Sequence, residues 1–445
     1  MENHSLTNIS PLDGRYSDTA AFLKNYFSEY ALFHYRVFVE IEYLLAFSDL
    51  KIIPVVQNKL KTQLKKISET FNLKDAEKIK KIEVKIQHDV KAVEYFLQEE
   101  FKKKGLSGLC QFIHIGLTSD DINNLAYGLI LKDFTDEIAI PRLSELVRQI
   151  SQIAIKYRNV PILGRTHGQP AVPTTFGKEI RNFQERVQQK LTRLKLIKVE
   201  GKLNGAVGNY NALVFVYPKI DWMKFSTKFL KKLGLEPNLF TTQILPYDNW
   251  IKLFQQYLLI NGVIIDLARD LWFYILLEEL KLKKKEEEVG SSTMPQKVNP
   301  IDFENAEGNA EIANSYFGLY QQKLISSRLQ RDLSDSTVRR TFGEALGHTV
   351  LAWQSLSKGL GKIEVDEKKA EKHLNEHWEI LTEAVQTYLR SNNRPEAYEK
   401  VKTFVRGRKM AKEDYLSLLK RLGIDDQKLK NLTPQTYLGT ANNYD

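Results

Sequence analysis

Long stretches with little proline or glycine constrain the fold of this chain more than any other feature. The 445 residues include only 13 Pro and 23 Gly, so few positions interrupt a helix. Between Lys178 and Glu200, apolar residues recur every three or four positions, which predicts one face of an amphipathic helix. These residues are Ile180, Phe183, Val187, Leu191 and Leu194.

A second segment, from Trp250 to Leu282, is apolar on several faces, as expected for a helix buried among other helices. Its longest run without charge, Leu253 to Ile265, is shorter than the ~20 residues that a membrane span needs. No stretch alternates apolar and polar residues for long enough to form a major sheet. The sequence therefore predicts an all-α protein with a buried central helix and no contact with a membrane.

Charge and cysteine content favour a soluble protein of the cytoplasm. The net charge of +10 comes largely from lysines scattered over helix surfaces, such as Lys80, Lys81 and Lys85. Such lysines usually form a solvated face, so we expect no nucleic-acid partner, and a basic RNA-binding module is the weakest alternative. The single Cys110 cannot form an internal disulfide, and the first residues do not resemble a secretory signal.

Breaks in composition suggest three domains. Residues 1–110 combine a polar lead-in with helices that have basic faces. Residues 111–364 contain the long helices, and residues 365–445 have shorter, more charged helices. We expect an N-terminal domain, a central bundle and a small C-terminal domain.

Three polar segments interrupt the central region, at residues 116–124, 165–170 and 290–300. Each alone has an ordinary structural explanation: Thr118 or Ser119 as a helix cap, His167 as a turn residue, and the two serines of the third segment as a flexible loop. Elsewhere, His373 and His377 lie four residues apart, but they lack the His-Glu-x-x-His order and a third ligand. We therefore predict no metal site. The glycine-rich residues 205–209 follow a helix and indicate a close approach of backbones or of a ligand rather than dinucleotide binding.

Taken together, the three segments carry a resemblance. Residues 290–300 match every fixed position of Gly-Ser-Ser-x-Met-Pro-x-Lys-x-Asn-Pro, the signature of the fumarase/aspartase superfamily, and the other two segments resemble its other conserved regions. Within that superfamily, residues 10–16, 87–91, 241–243 and 330–337 look like those of bacterial adenylosuccinate lyases. One departure is Gln87, where the relatives have Asn. The resemblance extends from about residue 5 to about residue 440.

The resemblance implies a three-domain, fumarase-like fold whose long helices assemble into a tetrameric core with active sites shared between subunits. It also implies a cofactor-independent β-elimination of fumarate from adenylosuccinate, giving AMP, and a similar reaction from SAICAR to AICAR. The alternatives are argininosuccinate lyase, fumarase or aspartase, and a relative that kept the fold but lost activity.

Such an elimination needs a base, an acid and a cationic environment for the developing charge. By resemblance, Ser291 is the base, His167 is the acid and Glu304 orients the acid. A serine is a poor base unless its alkoxide is stabilised, and Lys297 can supply that stabilisation together with nearby backbone N–H groups and a helix N-terminus. The residues that the resemblance assigns to substrate binding are Arg15, Tyr16, Gln87, His88, Asp89, Thr118, Ser119, Gln243, Asn299, Arg331, Ser336 and Arg340.

Overall fold

The computed structural model describes residues 6–283, 293–294 and 296–444. Its first helices are α1 (Lys24–Phe27), α2 (Glu29–Asp49), α3 (Asn58–Glu69), α4 (Leu73–Ile86), α5 (Asp89–Lys103), α6 (Ser119–Phe134), α7 (Ile140–Lys156), α8 (Phe176–Leu196), α9 (Asn211–Val216) and α10 (Trp222–Lys232). The later helices are α11 (Asp248–Leu276), α12 (Ile301–Lys323), α13 (Ser334–Arg339), α14 (Phe342–Leu360), α15 (Glu367–Asn375), α16 (Thr382–Ser391), α17 (Ala397–Val405), α18 (Lys412–Arg421) and α19 (Gln427–Lys430).

The strands are short. They are β1 (Pro161–Thr166), β2 (Gln169–Thr175), β3 (Glu200–Gly201), β4 (Glu236–Pro237), β5 (Leu280–Leu282) and β6 (Ile363–Val365). They pair as β1–β2 and β5–β6, both antiparallel, and as the parallel pair β3–β4. The predicted all-α fold is confirmed, because helices dominate the part of the chain that the structure describes.

The amphipathic pattern between Lys178 and Glu200 corresponds to α8. All five apolar residues of the predicted face are at most 3% exposed. Because burying a large aliphatic or aromatic side chain contributes about 1.5–3 kcal/mol, this face stabilises α8 more than helix propensity does.

The second apolar segment is a helix over most of its length, but the prediction that it continues to Leu282 was wrong. Helix α11 ends at Leu276, and Glu278 follows with a left-handed φ of 61°. Residues 280–282 then form β5, which pairs with β6 and buries Leu280. Among the helices that the structure describes, none combines the length and apolar character needed to cross a bilayer.

The chain divides into two compact units. Unit 1 comprises Met1–Leu143, Lys190–Gly262 and Gly308–Ala352. Its core includes closely packed aromatic rings: the centroid of Phe342 lies 4.8 Å from Phe254 and 5.0 Å from Tyr320. Unit 2 comprises Ser144–Gln189, Val263–Glu307 and Trp353–Asp445. Its C-terminal part has its own core, in which Leu381, Val385 and Tyr415 are fully buried. The division at residues 110 and 364 stays a prediction.

Candidate active site

The start of α6 is held in place by a buried carboxylate. Asp121 has no exposed surface, and its Oδ2 accepts the backbone N–H of Thr118 at 2.9 Å. Its Oδ1 lies 3.0 Å from Nζ of the equally buried Lys202, and it also accepts the N–H of Asn204 at 3.1 Å. The polar residues Thr118 and Ser119 are therefore fixed at a helix N-terminus, where the helix dipole favours anions such as carboxylates.

A buried arginine links the same helix to α13. Arg339 donates from Nη1 to Oδ1 of Asp120 at 3.1 Å, and its Nη2 lies 3.1 Å from Oδ2 of Asp335. Tyr247 donates its hydroxyl to Asp335 at 2.7 Å. Although burial opposes it, the surrounding Tyr247, Asp120 and Asp335 raise the pKa of Arg339, so the guanidinium stays charged.

The predicted residues Ser336 and Arg340 lie in α13 and at its C-cap, respectively. Arg340 donates from Nη1 to the hydroxyl of Ser336 at 3.0 Å and to its carbonyl at 3.1 Å. Both residues therefore lie on one side of this short helix, and Arg339 fixes the helix from its buried side.

Two further predicted residues come together from distant parts of the sequence. Arg331 donates from Nη1 to Oε1 of Gln243 at 3.3 Å, and the N–H of Gln243 donates to the carbonyl of Gln330 at 3.3 Å. The backbone near Gln243 also approaches Gly208, where an added Cβ would lie 2.2 Å from the carbonyl oxygen of Thr241. The predicted close approach at residues 205–209 is confirmed.

The predicted residues 87–89 form the turn between α4 and α5. Gln87 caps the C-terminus of α4 with a left-handed φ of 56°, and its Nε2 donates to the carbonyl of Val84 at 2.7 Å. The N–H of Lys91 donates to Nδ1 of His88 at 3.2 Å. Because Nδ1 is an acceptor, the proton of the neutral ring is on Nε2, which gives His88 an N–H donor on its other edge.

Asp89 begins α5 and pairs with Arg36 of α2, whose Nη2 lies 2.5 Å from Oδ2 of Asp89. Burial alone would raise the pKa of this carboxyl, but the Arg36 guanidinium and the Val90 N–H hold the pKa below its usual range. Asp89 is therefore ionised at neutral pH and accepts hydrogen bonds only.

Two cavities in unit 1 lie beside these residues. The first, about 270 Å³, is lined by Arg36, Asp89, Arg339 and Arg340 together with the ring of Tyr127. The second, about 310 Å³, shares Arg340 with the first and is also lined by Asp13, Ser17 and Lys24 of the N-terminal segment. Glu29 lines both cavities, so carboxylates and arginines are mixed in this region. Arg36 and Arg339 are paired with buried or half-buried carboxylates, whereas Arg340 is exposed and can contact an anionic ligand.

The N-terminal segment is anchored beside the second cavity. Ser10 donates its hydroxyl to Oε1 of Glu344 at 3.0 Å, and the N–H of Tyr16 donates to the carbonyl of Pro11 at 2.8 Å. Tyr16 is half-buried, whereas Arg15 is exposed.

His167 lies at the tip of the β1–β2 hairpin in unit 2. Thr166 pairs with Gln169, which leaves a two-residue loop of His167 and Gly168. Both have positive φ, 54° and 73°, as a type I′ hairpin turn requires. Glycine accepts this conformation readily, but histidine is strained in it. The imidazole is exposed, and the described residues of the chain give it no hydrogen-bond partner.

The remaining predicted catalytic residues surround the start of α12. Ser291 lies outside the described residues. Lys297 is exposed, Asn299 is half-buried, and Glu304 is in the first turn of α12. Oε1 of Glu304 accepts the indole N–H of Trp272 at 3.1 Å. Within the described part of a single chain, Glu304 and His167 are not hydrogen-bonded to each other, so the orienting role of Glu304 stays a prediction.

The two histidines of the C-terminal region each pair with a different carboxylate. Nδ1 of His373 lies 2.7 Å from Oε1 of Glu279, and Nδ1 of His377 lies 2.6 Å from Oε1 of Glu379. Each imidazole therefore has a local structural partner in unit 2.

Comparison of the sequence with known proteins shows which family this chain belongs to. Residues 14–313 match the model of a family described as "Lyase", and residues 327–438 match "Adenylosuccinate lyase C-terminal". The chain is 44% identical to the adenylosuccinate lyase of Legionella pneumophila subsp. pneumophila (strain Philadelphia 1) over 444 residues, which cover 98% of this chain and 97% of that protein. This chain belongs to the adenylosuccinate lyase family.

Other relatives agree with this assignment. The adenylosuccinate lyase of Escherichia coli (strain K12) is 43% identical over 99% of this chain and 98% of its own length. A fumarate lyase structure from Mesorhizobium sp. BNC1 superposes with a TM-score of 0.77 at 19% identity, over 95% of this chain and 96% of that chain. The structural match confirms the fumarase-like fold that the signature at residues 290–300 predicted.

Proposed function

We propose that this chain is an adenylosuccinate lyase, a carbon–nitrogen lyase that eliminates fumarate from adenylosuccinate to give AMP and from SAICAR to give AICAR. The observation that carries the proposal is the identity of 43–44% to proteins of that name over almost their entire lengths. The family match at residues 327–438 supports it independently, because that region contains Arg331, Ser336 and Arg340.

In the proposed mechanism, Ser291 removes a proton from the carbon beside a carboxylate while His167 protonates the departing nitrogen. A serine hydroxyl is a weak base unless its alkoxide is stabilised, and the Lys297 ammonium can supply that stabilisation. Charge then develops on the substrate carboxylate, where a cation or the N-terminus of α6 lowers the barrier. Glu304 orients His167 for this proton transfer.

We assign the two ends of the substrate to different sets of residues. The nucleotide end binds Arg15, Tyr16, Gln87, His88, Asp89, Arg331, Ser336 and Arg340. The succinyl end binds Thr118, Ser119, Lys297 and Asn299, and Gln243 holds a further polar group. The cavities of unit 1 support the first assignment for Asp89 and Arg340, which line them, and the fixed helix N-terminus at Thr118 supports the second.

We further propose a cytoplasmic homotetramer with active sites shared between subunits. Large apolar side chains on the two long helices α11 and α12 are exposed in the single chain: Phe273 is 54% exposed, Leu276 61%, Ile312 45% and Leu319 44%. Such surface on long helices is typical of a subunit interface. The exposed His167 also fits a role in a site completed by another subunit. In this proposal the chain has the three domains 1–110, 111–364 and 365–445.

Turnover measurements test the activity directly. The absorbance change with adenylosuccinate should be fast, whereas argininosuccinate and malate should give none. Turnover of argininosuccinate or malate in place of adenylosuccinate would support the other superfamily lyases. No turnover of any of the three would support a catalytically silent relative.

Mixing two inactive variants tests the shared sites. His167→Ala and Ser291→Ala, unfolded together at a 1:1 ratio and refolded, should regain about a quarter of the wild-type activity if each site takes the two residues from different subunits. Each variant refolded alone is the control. Mixed tetramers that stay inactive would show that both residues come from one chain.

A further inference from the structure

Arg36 is a buried charge on α2, one helical turn before the buried Glu40. Only 4% of its side chain is exposed. Its Nε donates to Oδ1 of Asn123 at 2.9 Å, and its Nη2 donates to Oδ2 of Asp89 at 2.5 Å. Burying an arginine is costly unless its donors are satisfied, so a guanidinium at this position needs a specific reason.

The two acceptors of Arg36 belong to different substrate-binding segments. Asp89 begins α5 directly after His88, and Asn123 is in the first turns of α6, after Thr118 and Ser119. One planar guanidinium therefore sets the distance between the starts of two helices. The planar guanidinium has N–H donors in fixed relative directions, so it can bond to both acceptors at once. The single ammonium group of a lysine, on a flexible side chain, could not hold the two acceptors in this geometry.

The Arg36 pair also controls how Asp89 faces the cavity. Oδ1 of Asp89 accepts the N–H of Val90 at 2.9 Å, so both carboxylate oxygens have a partner that fixes the side-chain conformation. Asp89 and Arg36 both line the 270 Å³ cavity. Each oxygen of an ionised carboxylate has a second lone pair, which remains available for a donor on the ligand.

We propose that Arg36 is a positioning residue, which acts through Asp89 and the start of α6 to hold the substrate-binding segments in their binding geometry. This inference rests on the proposed lyase function, because it concerns the same site. The competing explanation is that Arg36 merely pins α2 to α6.

The chain offers a matched control for that explanation. Tyr35, the residue before Arg36, also joins α2 to α6, but at the other end of α6, where its hydroxyl donates to Oδ2 of Asp133 at 2.9 Å. Tyr35→Phe removes a hydrogen bond between the same two helices without touching the substrate-binding segments.

Steady-state kinetics with adenylosuccinate and calorimetric titration with AMP test the proposal. Arg36→Met should raise KM and the Kd of AMP by about tenfold or more, as expected for losing charged hydrogen bonds, with a smaller change in kcat. Arg36→Lys should recover part of the affinity, because it keeps the charge but loses the fork. Tyr35→Phe should bind AMP like the wild type.

A double-mutant cycle gives the sharpest outcome. If Arg36 acts through Asp89, the variant Arg36→Met/Asp89→Asn should bind AMP no more weakly than Asp89→Asn alone. The double variant has no unpaired charge, so it stays informative even if Arg36→Met fails to fold. The positioning role would be wrong if the double variant lost AMP affinity by the product of the two single-variant factors. It would also be wrong if Tyr35→Phe lost as much AMP affinity as Arg36→Met. If the wild-type protein showed no turnover, the proposed lyase function would be refuted instead. The AMP titrations would then still test whether Arg36 is needed for nucleotide binding.

Discussion

The start of α6 and the tip of the β1–β2 hairpin represent opposite ways to place a functional residue. At the start of α6, buried partners from the same unit fix each polar group: Asp121 with Lys202, and Asp120 with Arg339. At the hairpin tip, His167 is exposed, strained and without a hydrogen-bond partner among the described residues. The first arrangement is complete within one chain, whereas we propose that the second functions in a site completed by another subunit.

The largest effect expected from this comparison is on catalysis, at the hairpin tip. His167→Asn removes the imidazole but leaves Asn-Gly, the dipeptide that type I′ turns prefer. We expect turnover to fall by about 10²–10⁴-fold, the usual contribution of a general acid, while the melting temperature is unchanged or higher. The measurement is kcat with adenylosuccinate beside a thermal melt. Nearly normal turnover would exclude His167 as the acid.

The next largest effect is on stability, at the start of α6. Lys202→Met leaves Asp121 as an unpaired buried charge, which should cost about 3–5 kcal/mol of unfolding free energy in urea. Adding Asp121→Asn should restore part of the loss. The control is Lys61→Met, which breaks the exposed Lys61–Asp49 pair of the same unit and should cost less than about 1 kcal/mol. Equal losses of unfolding free energy in Lys202→Met and Lys61→Met would show that the buried pair at the start of α6 stabilises the protein no more than an exposed pair does.

A smaller effect concerns recognition of the nucleotide. Arg15→Ala and Arg331→Ala should each weaken AMP binding by about 10–100-fold, because each removes charged hydrogen bonds to the phosphate end. Inhibition by fumarate should respond much less to Arg15→Ala, since fumarate has no phosphate. Parallel losses for AMP and fumarate would contradict the assignment of these arginines to the nucleotide end.

A pH effect is expected just before α6. Nδ1 of His114 lies 2.6 Å from Oε1 of Glu40, and although burial opposes it, Glu40 and Glu94 raise the pKa of His114. The charged imidazole therefore stabilises the fold fully below the unfolded pKa of about 6.5, and this contribution is lost as pH rises through the higher folded pKa. His114→Gln should lower the melting temperature more at about pH 6 than at about pH 9. The same loss at both values would show that the charge of His114 does not contribute.

The smallest effect tests a second residue with a left-handed backbone conformation, Gln87. Gln87 has the left-handed conformation that asparagine tolerates better, so Gln87→Asn should stabilise the protein by about 0.5 kcal/mol. A thermal melt measures it, with Gln87→Ala as the destabilising control. A loss of stability in Gln87→Asn would mean that the Gln87 side-chain bond to Val84 outweighs the backbone strain.

Sequence patterns predicted the features that depend on neighbouring residues. The apolar spacing predicted α8, and the motif at residues 290–300 predicted the family and hence the fold. The end of α11 could not be predicted in this way, because apolar residues such as Leu280 suit a buried strand as well as a helix. The partner strand of β5 is more than 80 residues away in the sequence, and local patterns do not record such pairings.

In the candidate site, too, local sequence motifs predicted some residues and missed those whose partners are distant in the sequence. Motif matches identified the residues that we propose contact the substrate, such as Arg331 and Ser336. They missed Arg36 and Lys202, which lie in segments with no recognisable motif. The charge of Arg36 is not distinctive in the sequence, because α2 also contains Glu40 and Glu42, and a charge in a sequence does not reveal its partners. Their importance follows from burial and from acceptors that are distant in sequence.

The division into units also has a consequence for how the protein is made. Each unit is assembled from three separate pieces of the chain, and unit 1 is complete only when residue 352 has been synthesised. Before residue 352 is made, the first piece of unit 1, which contains α1 to α6, still exposes apolar surface. That surface can cause aggregation while the chain is on the ribosome. Closing such distant pieces is slow, because the entropy of long loops is lost before most native interactions form. Truncation after residue 262 should therefore leave an insoluble fragment rather than a smaller folded protein.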